Sequence, residues 1–302
     1  MKNNNNHLLS KDQGRKKTGS SSISVFLRKN GEQTLVIAFL IVMSIPFIFP
    51  FWWMFTSSFK NMNEILGTLS LFPDTFRLEN FIDIFTFQPF ARQYFNSTYI
   101  ALLVTLGIMV LSSFAGYGFA RIQFPGNSAL FILLLSAMMM PIEVTIIPNF
   151  FIFKAFGLTN SHLPLIILPI LGSSGVFGVF MMRQFFLSIP KELEEAGMLD
   201  GLNRLGIFWH IVLPMSKSAL AAVAILTFLF NWNVFLEPLV FINDIDLFTL
   251  PVALQNYTSP YDGTPVWNLQ FAASTLSVIP VLLIYLMAQR QVQNNMALSG
   301  MK

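Results

Sequence analysis

The sequence predicts an all-α membrane protein of six transmembrane helices, with both termini in the cytoplasm. Three observations carry this. Of 302 residues, 54% are hydrophobic and only 11% charged, with 33 Phe and 5 Trp, whereas soluble domains carry about a quarter charged residues. A globular core cannot hide that much apolar surface, so lipid must be part of the solvent. Six stretches are long enough to cross the hydrocarbon core, and the Lys and Arg between them fall on alternate sides.

The first stretch is Leu35 to Phe55 and the second Thr98 to Ala120. The third, Ala129 to Phe151, contains Pro141, Glu143 and Pro148, and the fourth, Leu163 to Met182, contains Pro164 and Pro169. The fifth is Ala219 to Ile242, with Glu237 and Pro238, and the sixth Phe271 to Met287, with Pro280. Proline is tolerated in membrane helices, so none of these is vetoed, although the third and fourth also fit re-entrant segments. Gly172, Gly175 and Gly178 in the fourth read as points of close helix packing.

Orientation follows from charge. With the amino terminus inside, only Lys60, Arg77, Arg92 and Lys154 fall outside, which is the positive-inside pattern. Residues 1–30 read as a disordered basic tail, with Lys2, Lys11, Arg15, Lys16, Lys17, Arg28 and Lys29 among Asn3 to Asn6 and Ser20 to Ser22. The apolar run after it is too long for a signal-peptide core and lacks a small-residue cleavage pattern, so it reads as an uncleaved first span. Residues 31–302 form the transmembrane domain. The net charge of +3 gives no basic nucleic-acid surface, and with no cysteine there is no disulfide or thiolate metal site. His7, His162 and His210 are too scattered for a metal cluster.

The loops differ in character. In the first external loop, Lys60 to Asn96, Phe81, Ile82, Ile84 and Phe85 could pack on the membrane surface. The internal loop of about 183–217 says most. Pro190 suits a first helical turn, Glu192, Glu194 and Glu195 suit the positive end of the helix dipole, and Gly201 suits a left-handed helix end. Leu193, Ala196 and Gly197 form a narrow face of apolar and small residues. Asn203 can cap a second helix in which Leu205, Phe208, Trp209 and Val212 share one face. Such a helix–turn–helix either docks in a groove of another protein or rests on the bilayer.

The stretch Glu195-Ala196-Gly197, three residues, Gly201, nine residues, Ile211, one residue, Leu213-Pro214 resembles the EAA motif of ABC importer permeases at every spacing, with Gly197 in place of the second Ala. Other segments resemble the carbohydrate-uptake branch of that family, which includes the maltose-system and glycerol-phosphate permeases. They are Ala115-Gly116-Tyr117-Gly118-Phe119-Ala120-Arg121, Met140-Pro141, Asn231-Trp232-Asn233, Phe235-Leu236 and the tail from Ala297 to Lys302. The resemblance runs from about Leu35 to the end.

It implies a six-helix permease in a prokaryotic inner or plasma membrane, forming half of the pathway for a carbohydrate, an oligosaccharide above all. The implied partners are a second homologous permease subunit, two ATPase subunits, an extracytoplasmic solute-binding protein and the lipid bilayer. No cofactor is implied in this chain, since ATP and Mg would sit on the ATPase, and no Gly-x-x-x-x-Gly-Lys-Ser/Thr loop is present. The chain itself is then not an enzyme. Glu192, Leu193, Glu195, Ala196, Gly197, Asp200, Gly201, Ile211, Leu213 and Pro214 would couple to the ATPase, with Ala196 and Gly197 allowing close packing there. Along the pathway, Asn231, Asn233, Glu143 and Glu237 would meet sugar hydroxyls and Trp232 would stack on a ring face. The alternative is that the asparagines bond helix to helix and the carboxylates reach the outer interface. An ion-coupled secondary transporter of a small polar solute is the rival reading, but it wants an internal repeat and leaves the loop motif unexplained. An intramembrane enzyme would need a Ser/His or paired-Asp constellation that the spans lack.

Overall fold

The computed structural model describes residues 20–67, 70–258 and 263–299, with side chains described for 33–67, 70–258 and 263–287. Among the described residues all regular structure is helical. The chain divides into two compact units, Met1–Trp53 and Met54–Lys302. Of the basic stretch, residues 1–19 lie outside the described residues. Residues 20–30 already belong to a helix, α1 (Ser20–Ser57), rather than to the expected tail. Helix α1 is about 57 Å long at 1.5 Å per residue, and from Gln33 it is apolar enough to cross a membrane.

In the second unit, α2 (Met62–Leu66) and α3 (Asn80–Phe87) precede α4 (Phe90–Arg121). Helix α4 is about 48 Å long and is the central element. It packs along α7 (Leu163–Leu171), α8 (Ser173–Ser188) and α12 (Lys217–Trp232), and α15 (Trp267–Ser299) packs on α12. Between α4 and α7 lie α5 (Asn127–Met138) and α6 (Ile142–Ala155). Between α8 and α12 lie α9 (Lys191–Leu199), α10 (Arg204–Ile207), a π turn (Phe208–Val212) and α11 (Leu213–Met215). Helices α13 (Leu236–Phe241) and α14 (Leu250–Asn256), with a 3₁₀ turn at Ile245–Leu247, complete the chain before α15.

Four helices span by length and hydropathy: Gln33–Ser57, Phe90–Arg121, Leu163–Ser188 and Trp267–Met287. Two more spans stand only if each of two bent pairs counts as one crossing. The expected third span breaks at Met139–Pro141 and turns by 96° between α5 and α6. Proline lacks an N–H and pushes the preceding residue out of the helical region, so Pro141 starts a new helix instead of continuing the old one. The expected fifth span, Ala219 to Ile242, is likewise corrected. Helix α12 stops at Trp232 after about 24 Å and the chain resumes as α13, while the second bent pair joins Arg204–Met215 to Lys217–Trp232 at 73°.

The second span starts eight residues earlier than hydropathy suggests. Its first turns carry polar side chains that the fold buries by pairing them with Ile245–Leu250. Gln93 Nε2 donates to Ile245 O (3.1 Å), Asn96 Nδ2 to Asp246 O (2.9 Å) and Phe248 O (3.1 Å), and Ser97 Oγ accepts from Leu250 N (2.7 Å). Satisfied polar groups cost little inside a protein, which a transfer scale cannot know. Helix α3 joins the same cap. Ile84 is fully buried against a cluster with Phe90, Leu250, Tyr257 and Leu269, whereas Ile82 and Phe85 remain exposed. Ile84 therefore does not face the membrane surface.

Tyr257 is the largest fully buried side chain of this cap. Its Oη donates to Ile84 O (3.1 Å) and its ring stacks on Phe87 with centroids 5.2 Å apart. Burial pushes its hydroxyl up to about 12, against a smaller opposing contact from Gln88. Since the folded value lies above the ordinary one of about 10, the unfolded chain releases its proton first. The contribution of Tyr257 is therefore complete below about pH 10 and is lost as pH rises from about 10 to 12. Tyr257→Phe is expected to cost about 1 kcal/mol near neutrality through the lost hydrogen bond and to flatten the alkaline fall, as read from thermal midpoints across pH. An unchanged alkaline fall would show that other groups set it.

Candidate functional site

The loop between α8 and α12 is built as its residues dictate. Pro190 stands just ahead of α9, where its missing N–H is harmless, and Glu192 and Glu194 fill the first turn. Gly201 ends the helix at φ 85°, a conformation that favours glycine. The N–H of Leu202 then reaches Gly197 O (2.9 Å) and that of Gly201 reaches Met198 O (3.0 Å), so the last carbonyls are satisfied. Asn203 caps α10, its Oδ1 accepting from Gly206 N (2.8 Å). The following face is not the single one that helical spacing suggests. Phe208 and Val212 are buried while Leu205 and Trp209 are exposed, because the π turn widens the helix by one residue per turn.

Helix α9 presents two faces. Glu192, Leu193, Glu195, Ala196, Met198, Leu199 and Asp200 are exposed, Leu199 at 90%. Glu194 and Gly197 are buried. A Cβ at Gly197 would lie 2.6 Å from Ile211 Cδ1 and 3.4 Å from Ile207 Cγ1. The close approach that Gly197 permits is therefore to this chain's own Ile211, not outward, which corrects the expectation for that residue. Ile211 and Leu213 are half-buried against the same core, and Pro214 is exposed. The exposed face thus combines three carboxylates, one lysine (Lys191) and three apolar side chains (Leu193, Met198, Leu199). That combination suits a partner with an apolar cleft and basic margins.

The sequence marks Glu194 only as a carboxylate that suits the start of the helix, not as a partner of Arg121. Its carboxylate pairs with Arg121, the last residue of α4, at 2.8 Å, and both side chains are nearly buried (10% and 5% exposed). Arg121 Nη2 also donates to Ile189 O, just ahead of α9. The sequence offered only one signal for this pair: an arginine at the end of a span and one glutamate more than the motif requires.

The five residues expected along the pathway do not form one set. Asn231 is buried and Trp232 only 3% exposed. The indole stacks on Phe228 (5.7 Å, 16°), meets Tyr94 edge-on (5.6 Å) and donates from Nε1 to Ser277 O (3.2 Å). A ring so enclosed has no open face for a sugar, which corrects the stacking role. Asn231 Nδ2 donates to Thr227 O (2.8 Å) and Asn233 Nδ2 to Leu229 O (2.7 Å), within their own helix rather than between helices. The bond from Asn233 has a local cause. Its backbone N–H has moved to Phe230 O where α12 ends, and its side chain serves the carbonyl left behind. Glu143 and Glu237 are brought within electrostatic reach of each other. Each lies in the first turn of a helix that a break created, α6 and α13, where the helix dipole favours a carboxylate. Glu237 is buried and Glu143 exposed. Among the described residues no group of His, Cys, Asp and Glu could hold a metal ion.

The comparisons with known proteins bear on this loop and these spans together. Residues 108–297 match the family described as "Binding-protein-dependent transport system inner membrane component". The chain belongs to that family. As a permease of this kind it is a multi-pass inner-membrane subunit of an importer and not an enzyme. Among its relatives is the diacetylchitobiose uptake system permease protein NgcG of Streptomyces coelicolor, 33% identical, with 86% of each chain covered. Another is the arabinooligosaccharides transport system permease protein AraQ of Halalkalibacterium halodurans, 34% identical, covering 89% of this chain and 95% of that one. The fold of the permease resembles a chain of a bacterial ABC transporter involved in the import of the acidic polysaccharide alginate. The TM-score is 0.75 at 19% identity, over 91% of this chain and 99% of the other. Family membership sets aside the ion-coupled reading.

Proposed function

We propose that this permease forms half of the membrane pathway for an oligosaccharide and engages a separate ATPase subunit through the exposed face of α9. The spacing from Glu195 to Pro214 carries the reading, together with a helix that keeps Glu192, Leu193, Glu195, Ala196 and Asp200 exposed. The names of the relatives, which move diacetylchitobiose and arabinooligosaccharides, support the substrate class. A second homologous permease completes the pathway, two ATPase subunits bind ATP and Mg on the cytoplasmic side, and a solute-binding protein delivers the sugar from outside. In this reading both termini and the α9 loop lie in the cytoplasm, which the distribution of Lys and Arg supports. Closure of the ATPase dimer on ATP moves α9 and tilts the spans, and hydrolysis resets them, giving alternating access by rigid-body rocking.

Two measurements test this. Purified with its genomic neighbours, the permease should bring down an ATPase subunit. Uptake of a labelled oligosaccharide should stop when ATP is depleted with the proton gradient intact, and persist in the reverse condition. Uptake that follows the gradient instead would overturn the proposal.

A further inference from the structure

We infer that the buried Arg121–Glu194 pair is the joint through which α9 drives α4, the central helix of the bundle. The observation is topological. In sequence the α9 loop connects α8 to α12, so motion of α9 would be expected to pass to those two helices. In the fold the loop is fastened to the end of α4 instead. Arg121 pairs with Glu194 at 2.8 Å and donates to Ile189 O, so it holds both the first turn of α9 and the chain entering it. A second attachment lies one turn back on α4. Tyr117 Oη donates to Arg204 O (3.4 Å), and the Phe208 ring packs on Tyr117 (5.2 Å between centroids) and Phe114 (5.0 Å). The two attachments grip the loop on either side of the Gly201 turn, so α9 and the end of α4 move as one body.

An ion pair is a poor choice if tightness alone were needed. Well-packed apolar side chains of similar volume hold buried surfaces at least as well, because removing two charges from water is expensive. What a guanidinium adds is a planar fork with more than one point of attachment. Arg121 faces the Glu194 carboxylate through Nε as an ion pair while its Nη2 donates to Ile189 O, so two points orient α9 relative to the α4 axis. At the far end of α4, Gln93, Asn96 and Ser97 hold the cap at Ile245–Leu250. A push on α9 therefore reaches the opposite end of the spans through one continuous helix. Arg121 and Glu194 are positioning residues, acting through α4 and not on the sugar.

This inference rests on the proposed coupling role of α9, and its test is separable from that role. The permease is assembled with its ATPase subunits in lipid vesicles, and uptake per ATP hydrolysed is compared for the parent, Glu194→Gln and Arg121→Lys. Glu194→Gln keeps size and removes charge. It should co-purify with the ATPase as the parent does, but its transport per ATP should fall about tenfold, as expected when a connecting contact is lost. Arg121→Lys keeps the charge but not the fork, and should fall between the two. An unchanged ratio in Glu194→Gln overturns the joint, whereas failure of the parent to bind any ATPase overturns the coupling proposal instead. Should Glu194→Gln fail to assemble, spin labels decide on the cysteine-free parent. Cysteines placed at Lys191 on α9 and at Gly118 on α4, where an added Cβ meets nothing within 4 Å, report the α9–α4 distance with and without ATP. A rigid joint keeps that distance constant to about 2 Å, while a change of about 5 Å, one helical turn, would show that α9 moves independently of α4.

Discussion

Glu195→Lys is expected to leave the permease in the membrane and abolish both its association with the ATPase subunit and sugar uptake. Glu195 is exposed on α9 beside Leu193, Met198 and Leu199, and among the described residues its carboxylate has no ion-pair partner. Reversing it therefore spares the fold and strikes the docking face. Like charges brought together at an interface cost several kcal/mol. A loss of about 3 kcal/mol lowers affinity more than a hundredfold. Co-purification from detergent and uptake in vesicles read the two halves of the effect. Normal association with normal uptake would remove Glu195 from the interface. The contrast with Glu194 is informative, because the neighbouring carboxylate faces inward onto Arg121 and its loss should weaken coupling before it weakens docking.

Gly116→Leu is expected to prevent the bundle from folding. At Gly116 the backbones of α4 and α8 approach so closely that even a Cβ would lie 2.9 Å from Met182 Cβ and 3.0 Å from Arg183 N. A backbone nitrogen cannot step aside, so the helices must part and the contacts on both sides of the crossing are lost. At Gly178, on the facing helix, an added Cβ would lie 2.9 Å from Ile108 Cγ2 and 3.1 Å from Ser112 Cβ, so the crossing is close along its length. Overpacking of this kind costs about 1–3 kcal/mol per added group, so Gly116→Ala should be markedly destabilised and Gly116→Leu should not accumulate. Gly118 is the control. It lies two residues away with nothing within 4 Å of an added Cβ, and Gly118→Ala should be neutral or stabilising by up to about 1 kcal/mol. Yield of monodisperse protein and its thermal midpoint distinguish these outcomes. Equal behaviour of the two alanine variants would show that the crossing tolerates separation.

The loop and the spans were legible to different degrees. Gly201 and Asn203 take the parts their chemistry suggests, since a left-handed helix end and a side-chain cap are decided within a few residues. Trp232 was misread for the opposite reason. An aromatic between two asparagines in an apolar run is equally a binding ring or a core ring, and only the arrival of Tyr94, Phe228 and Ser277 settles it. The start of α4 was set too late because Gln93, Asn96 and Ser97 count as polar until the carbonyls and N–H of a distant loop pair with them.

By itself the sequence determined that this chain lives in lipid, which apolar stretches are long enough to cross it, and that one loop carries a motif for engaging another protein. These follow from hydropathy summed over about 20 residues and from short-range spacing, both of which are local properties. The tertiary structure alone decided that two of the stretches bend, by 96° and 73°, and that Gly197 packs inward on Ile211. It alone joined the α9 loop to the end of α4 through Arg121 and Glu194. Those two residues are 73 positions apart, a distance over which no periodicity carries information. Their pairing exists only because α4 and the α8–α9 segment pack side by side, burying both charges where each must find the other.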